Sequence, residues 1–263
     1  MKRSSGARIG ATLAVSALSL ALITGCSTEG SDDAKDTKES AAESSAPAAK
    51  ALTSAELEKL LLATGDIKGY KVDSGDDTLP KSKDEVKTDK AECAPLAWSM
   101  AALAPGETDA SAGNTVTAEP DASAASKDPS ELSESDFENA FDVSVTFVGL
   151  SSYDGDGAEK ALKAVSDGLT ACSGGYAMTG EDETTKVTKV TKETGNGGGD
   201  ESVAYATDVD MNGEGKATFH TEVVRKGNSV ATFYTLNLAA LGTGGKAASI
   251  PAELVTAQVG KLK

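Results

Sequence analysis

"FDVSVTFVGLSSYDGDGAEKALKAVSDGLTAC", residues 141–172, changes its hydrophobic period midway. Phe141, Val143, Val145 and Phe147 alternate with Asp142, Ser144 and Thr146. That period of two predicts a half-buried strand with the apolar set facing a core. After Asp154 the spacing turns helical: Ala158, Ala161 or Leu162, Val165, Leu169 and Cys172 form one apolar stripe. Asp154 or Asp156 stands near the start of this helix, where negative charge suits the unpaired N–H groups.

Downstream, 184–192, 202–211, 216–225 and 229–238 alternate as strands. Their connections "NGGGD", "NGEG" and "KGN" carry turn chemistry suited to hairpins. A last helix is expected from near Pro251. Upstream, "LTSAELEKLLLATGD" predicts a helix with Thr53 as N-cap and Glu56 completing a capping box. Leu52 and Leu57 hold the staple positions, and Gly65 is placed to end the helix. A short strand is expected near residues 70–73 and another at 114–118. In "CAPLAWSMAAL", Cys93, Leu96, Met100 and Leu103 share one face, with Pro95 tolerated in the first turn. The expected fold is α+β: a mainly antiparallel sheet of four to six strands, helices packed on one face, and one interhelical disulfide.

The chain opens with Lys2, Arg3 and Arg8, then an apolar run over 9–23, the pattern of a secretory signal. A spanning helix needs about 20 apolar residues, and charged sequence follows this run too soon. Ile23-Thr24-Gly25-Cys26 resembles the lipobox of bacterial lipoproteins. The resemblance implies cleavage after residue 25 and a thioether-linked diacylglyceryl group on Cys26, with palmitate-type chains. Two acyl chains anchor stably where one holds only marginally. Residues 27–50 contain no aromatic residue and no Val, Ile or Leu, so they cannot offset the entropy of ordering and are expected to be a disordered tether. As a coil it would span roughly 25–30 Å. The folded domain is expected over 51–263, outside the cell membrane and lipid-anchored to it.

Removing residues 1–25 takes three of the 25 basic residues and no acid, leaving 22 against 41 and a net charge of −19. Such a surface excludes nucleic acid, whose phosphates demand a basic patch. The polar stretch 104–140 holds nine acids and one base, Lys127, without the fixed spacing a cation loop needs, so it is read as a solvated loop. With Cys26 assigned to the anchor, Cys93 and Cys172 remain, each on the apolar stripe of its own helix. In an oxidising compartment that pair predicts a disulfide.

No catalytic pattern survives inspection. "DVDMNGEGKATF" matches a calcium loop at Asp208, Asp210, Asn212 and Gly213, but Phe219 stands where a bidentate Glu is required. "LGTGGKAAS" lacks a phosphate-loop pattern because Ala240 and Ala247 replace its Gly and Ser or Thr. "GNGGGDES" offers backbone freedom and no chemistry. His220, the single histidine, alternates within a strand with no nucleophile elbow nearby. Trp98, Tyr153 and Tyr234 are expected to pack rather than to line a site. No cofactor and no metal site is expected.

"LLATGDIKGYKV", "CAPLAW", "SYDGDGAEKALKAVSDGLTAC", "GDESVAYA" and "VVRKGNSVATF" together resemble the extracytoplasmic sensor-type domain. That domain occurs in actinobacterial envelope lipoproteins and in some serine/threonine receptor kinases. The resemblance implies a non-catalytic binding or sensor module, partnered by the membrane through its anchor and by a small envelope ligand or another protein. The kinase branch is expected to hold two disulfides around a cleft, and this chain can form only one. Two further readings stay open: an envelope lipid or glycolipid carrier, and an extracytoplasmic hydrolase. A large apolar cavity would favour the carrier, a shallow polar cleft the sensor, and acids converging on His220 the hydrolase.

Overall fold

The computed structural model describes residues 50–74, 80–108, 110–119, 143–180, 183–211, 215–237 and 247–262. The signal segment, Cys26, most of the tether, residues 120–140 of the polar stretch, Phe141 and Asp142 of the opening strand, the turn expected at Asn212-Gly213 and residues 238–246 lie outside them. The described chain runs α1 (Ser54–Glu58), β1 (Tyr70–Ser74), β2 (Val86–Thr88), α2 (Ala94–Met100), β3 (Ser111–Ala118), β4 (Ser144–Ser152), α3 (Gly157–Ala171), β5 (Tyr176–Gly180), β6 (Glu183–Glu193), β7 (Glu201–Asp210), β8 (Lys216–Lys226), β9 (Ser229–Asn237) and α4 (Ala252–Lys261).

The sheet is larger than the expected four to six strands. Nine strands pair in the order β1-β3-β4-β9-β8-β7-β6-β5-β2, every neighbour antiparallel. The two that the sequence reading missed, β2 and β5, are three and five residues long. Strands that short show too few alternations to reveal a period.

Helices also cover both faces, not one. On the first face α2 and α3 pack over Val190, Val203, Tyr205, Phe219, Val223 and Val230. On the second, Leu57 of α1 and Leu254, Val255 and Val259 of α4 pack over Val116, Val148, Leu150, Val224, Ala231 and Phe233. Val223 and Val224 are successive residues serving opposite cores. Successive side chains of a strand point to opposite faces, so the run Ser229–Phe233 is buried without a break.

This two-sided burial reverses the expectation for the opening stretch. Thr146, assigned to solvent, is 1% exposed, and its hydroxyl meets that of Thr235 at 2.8 Å. Val145 and Phe147 are only half-buried. Phe147 stacks on Tyr234, whose ring in turn meets Phe219. Threonine hides two-sided burial from sequence because a cross-strand partner satisfies its hydroxyl.

The α3 stripe appears as expected, with Ala158, Ala161, Leu162, Val165 and Leu169 buried. The disulfide forms, with the Cys93 and Cys172 Cα atoms 5.9 Å apart. It is not a bridge between two helix bodies. Cys93 closes a 3-10 turn (Ala91–Cys93) and caps α2, and Cys172 is the residue just past α3. The apolar stripes extend one residue beyond the helical hydrogen bonding, so both sulfurs still reach the first core. The turn and α3 approach closely here, because at Gly168 a Cβ would stand 3.2 Å from the Glu92 carbonyl oxygen.

All five tyrosines sit where the phenol resists ionising. Burial raises Tyr153, Tyr176, Tyr205 and Tyr234 above the usual value. Burial first, and then the hydrogen bond to Glu253, push Tyr70 up to about 12. An unfolded chain sheds these protons near pH 10, whereas the folded one keeps them. Stability is therefore complete below about pH 9 and falls as the pH rises from about 10 towards 12. Phenolate absorbance should appear together with the loss of far-ultraviolet dichroism. Several tyrosines ionising near pH 10 in an intact fold would contradict this.

Candidate functional site

The sequence predicts a helix from Ser54 to about Gly65, but α1 ends at Glu58. The Thr53–Glu56 capping box starts it as expected. The early end has a tertiary cause. Gln258 Nε2 donates to the Leu60 carbonyl at 2.8 Å, and the Leu62 N–H donates to Gln258 Oε1 at 3.0 Å. Asn114 Nδ2 donates to the Leu62 carbonyl at 2.7 Å, and Lys261 Nζ to the Leu61 carbonyl at 3.1 Å. Three carbonyls and one N–H that a helix would use are taken by side chains from β3 and α4. The chain leaves the helix there and turns through Gly65, whose φ of +93° suits glycine.

Behind this segment lies a cleft of about 770 Å³. Glu58, Lys59 and the loop Leu61–Asp66 form one wall, Val72 and Ser74 of β1 and Ala112–Asn114 of β3 the other, and Lys261 closes one end. Lys261 Nζ pairs with the Asp66 carboxylate. That bond first, and then the Ala63 N–H at 2.8 Å, hold the Asp66 carboxyl below its usual range. Glu58 and Lys59 are exposed at the rim and carry opposite charges. Thr64 Oγ1 donates to the Val72 carbonyl at 3.1 Å and latches the loop to β1.

Asn114 is the unusual residue of this cleft. It is 2% exposed, and its Oδ1 has no hydrogen-bond partner. Its orientation is fixed, since a flipped amide would set that oxygen against the Leu62 carbonyl. A buried acceptor left unpaired costs about 1–3 kcal/mol. Neither Asn114 nor Gln258 stood out in the sequence, where each is one polar residue inside an otherwise regular pattern.

The residues singled out by sequence fall elsewhere. His220 lies on β8 with Nδ1 2.8 Å from Glu193 Oε2, beside an open depression of about 680 Å³ that also touches Lys192, Thr194 and Ser249. Among the described residues the acid that meets it directly is Glu193. Asp208 Oδ1 accepts from Thr218 Oγ1 at 2.8 Å, and Phe219 is buried in the first core. "GNGGGDES" encloses a buried carboxylate: Glu222, 1% exposed, accepts from Asn196 Nδ2 and from the Gly197 N–H, both at 2.9 Å. A Cβ at Gly195 would sit 2.5 Å from that carboxylate. Tyr153 is 2% exposed. Trp98 packs against the first core with the Lys83 ammonium 4.3 Å from its ring centre. An apolar depression beside Tyr234, lined by Val86, Met100, Ala101 and Met178, holds only about 120 Å³. Among the described residues no three His, Cys, Asp or Glu side chains gather as metal ligands, and no helix is long and apolar enough to cross a membrane.

No family model matches the sequence, and no curated protein does. Among the solved structures that match weakly are two mycobacterial ones. One is the extracellular domain of PknH from Mycobacterium tuberculosis, at 13% identity and a TM-score of 0.43, covering 81% of this chain and 98% of that one. The other is a putative uncharacterized protein, an Rv0999 ortholog, from Mycobacterium smegmatis, at 13% identity and a TM-score of 0.33, covering 79% of this chain and 94% of that one.

Proposed function

We propose that this chain is a lipid-anchored, extracytoplasmic module of non-catalytic, sensor-like type that binds a small envelope ligand in the cleft between α1 and β3. The observation that carries the proposal is the buried, unpaired Asn114 oxygen beside a cleft of about 770 Å³. Small-molecule sites run to roughly 300–1,000 Å³ and combine apolar walls with a few placed polar groups. Leu61, Leu62 and Val72 supply such walls here, and Asn114 the polar group. The lining of the cleft sets Glu58, Lys59, Asp66, Asn114 and Lys261 among its aliphatic side chains, which favours a sensor's polar cleft over a lipid carrier's apolar cavity. His220 is already paired to Glu193, and no nucleophile is hydrogen-bonded to it among the described residues, which disfavours the hydrolase.

One experiment tests both the anchoring and the binding. The full chain is released mildly from its own envelope and analysed by native mass spectrometry, with amide exchange run alongside. A polypeptide beginning at Cys26 and carrying a diacylglyceryl mass is expected. It should hold a further small ligand that protects residues 61–64 and 112–114. An uncut, unacylated N-terminus would overturn the anchoring. A ligand-free protein, or protection confined to another surface, would overturn the site.

A further inference from the structure

We infer that the ligand of this cleft is a neutral molecule that presents an N–H or O–H donor to Asn114 Oδ1 and an apolar portion to Leu61, Leu62 and Val72. The inference rests on the binding reading above and narrows it to a ligand class.

Three features of the cleft select this chemistry. First, the unpaired group is an acceptor. Asn114 Nδ2 is committed to the Leu62 carbonyl, and Leu62 is itself held by Gln258. The side chain cannot rotate to offer its N–H₂ instead, so only a donor improves matters. Second, the charges balance. Lys261 is neutralised by Asp66, and Glu58 and Lys59 oppose one another at an exposed rim. A cation or an anion would gain no net field there and would lose its hydration. Third, the walls beside Asn114 are aliphatic, which suits a carbon body.

Less than 1 Å² of the Asn114 oxygen reaches solvent. A donor therefore arrives as the ligand seats and the exposed Ala63-Thr64 part of the loop yields, with Leu61 and Leu62 still held by Lys261, Gln258 and Asn114. The bond from Thr64 Oγ1 to the Val72 carbonyl latches that part of the loop to β1. Breaking it exchanges a bond at an exposed threonine for one at a buried amide. A site built around a hydrogen bond rejects an analogue that lacks the matching group far more strongly than an apolar pocket rejects a change of size.

The test uses the full chain and four probes that share a butyl body: N-butylacetamide, N-butyl-N-methylacetamide, butylammonium and pentanoate. Binding is read from the amide signals of Ala63, Thr64, Ala112 and Gly113. N-butylacetamide should shift these signals saturably, and the other three should bind about tenfold more weakly or worse, the factor expected for one lost hydrogen bond. Ala112→Phe, which fills the cleft and leaves the Leu62 bonds in place, should abolish the effect. Equal binding by N-butyl-N-methylacetamide or by a charged probe would overturn the ligand class. So would the absence of any shift with all four probes. Either result leaves the cleft standing as a site if the native ligand still protects it. Loss of that protection would instead remove the binding reading itself.

Discussion

Reducing the bridge between Cys93 and Cys172 lowers the melting temperature by roughly 10–15 °C. The two residues are 79 apart in sequence. Closing a loop of that length removes chain entropy from the unfolded state, a stabilisation of about 4.5 kcal/mol on the loop-entropy model. For a domain of 150–250 residues each kcal/mol moves the midpoint by about 2–4 °C. Both cysteines are fully buried among Leu96, Val165 and Leu169, so reduction leaves the apolar packing in place and acts mainly through the unfolded chain. Cys93→Ala with Cys172→Ala should reproduce the shift without placing hydroxyls in the core. A melting curve that stays put while mass spectrometry counts two free thiols would refute this.

Gln258→Leu is expected to be strongly destabilising. The side chain is wholly buried, and among the described residues it is the partner of the Leu60 carbonyl and the Leu62 N–H. Leucine fills similar space but leaves both backbone groups without partners. At about 1–3 kcal/mol for each orphaned group the loss is roughly 2–6 kcal/mol, or a midpoint lower by about 4–24 °C. The damage should be local as well as global. Amide exchange at residues 60–64 should quicken more than exchange in β7 or β8, because the cleft wall loses its hold on α4. Equal melting of variant and parent would show that the α1–α4 contact does not depend on this amide.

The alternation and turn chemistry of the C-terminal half were legible, since β6 to β9 are long enough to show a period of two. The same holds for α3, whose apolar stripe is carried over fifteen residues. The length of α1 was not legible. "LEKLLLATG" has every local mark of a continuing helix, and it stops because groups from Asn114, Gln258 and Lys261 take its backbone. Those partners lie 52 to 200 residues away. The candidate site was hidden for the same reason. Histidine and paired acids draw attention in a sequence, yet here His220, Asp208 and Glu222 all have partners within the fold. The cleft residue with an unmet hydrogen bond is an asparagine inside an eight-residue strand.

By itself the sequence determined the elements that carry their own signal: the strand meander, the helix stripes, the capping box at Thr53 and the pairing of two cysteines. These depend on contacts between near neighbours or on the chemistry of single residues. Only the tertiary structure decided that nine strands share one sheet, that cores form on both its faces, and that a cleft opens beside Asn114. Each of those follows from which distant groups meet, and burial and hydrogen bonding between distant groups leave no mark at any local spacing.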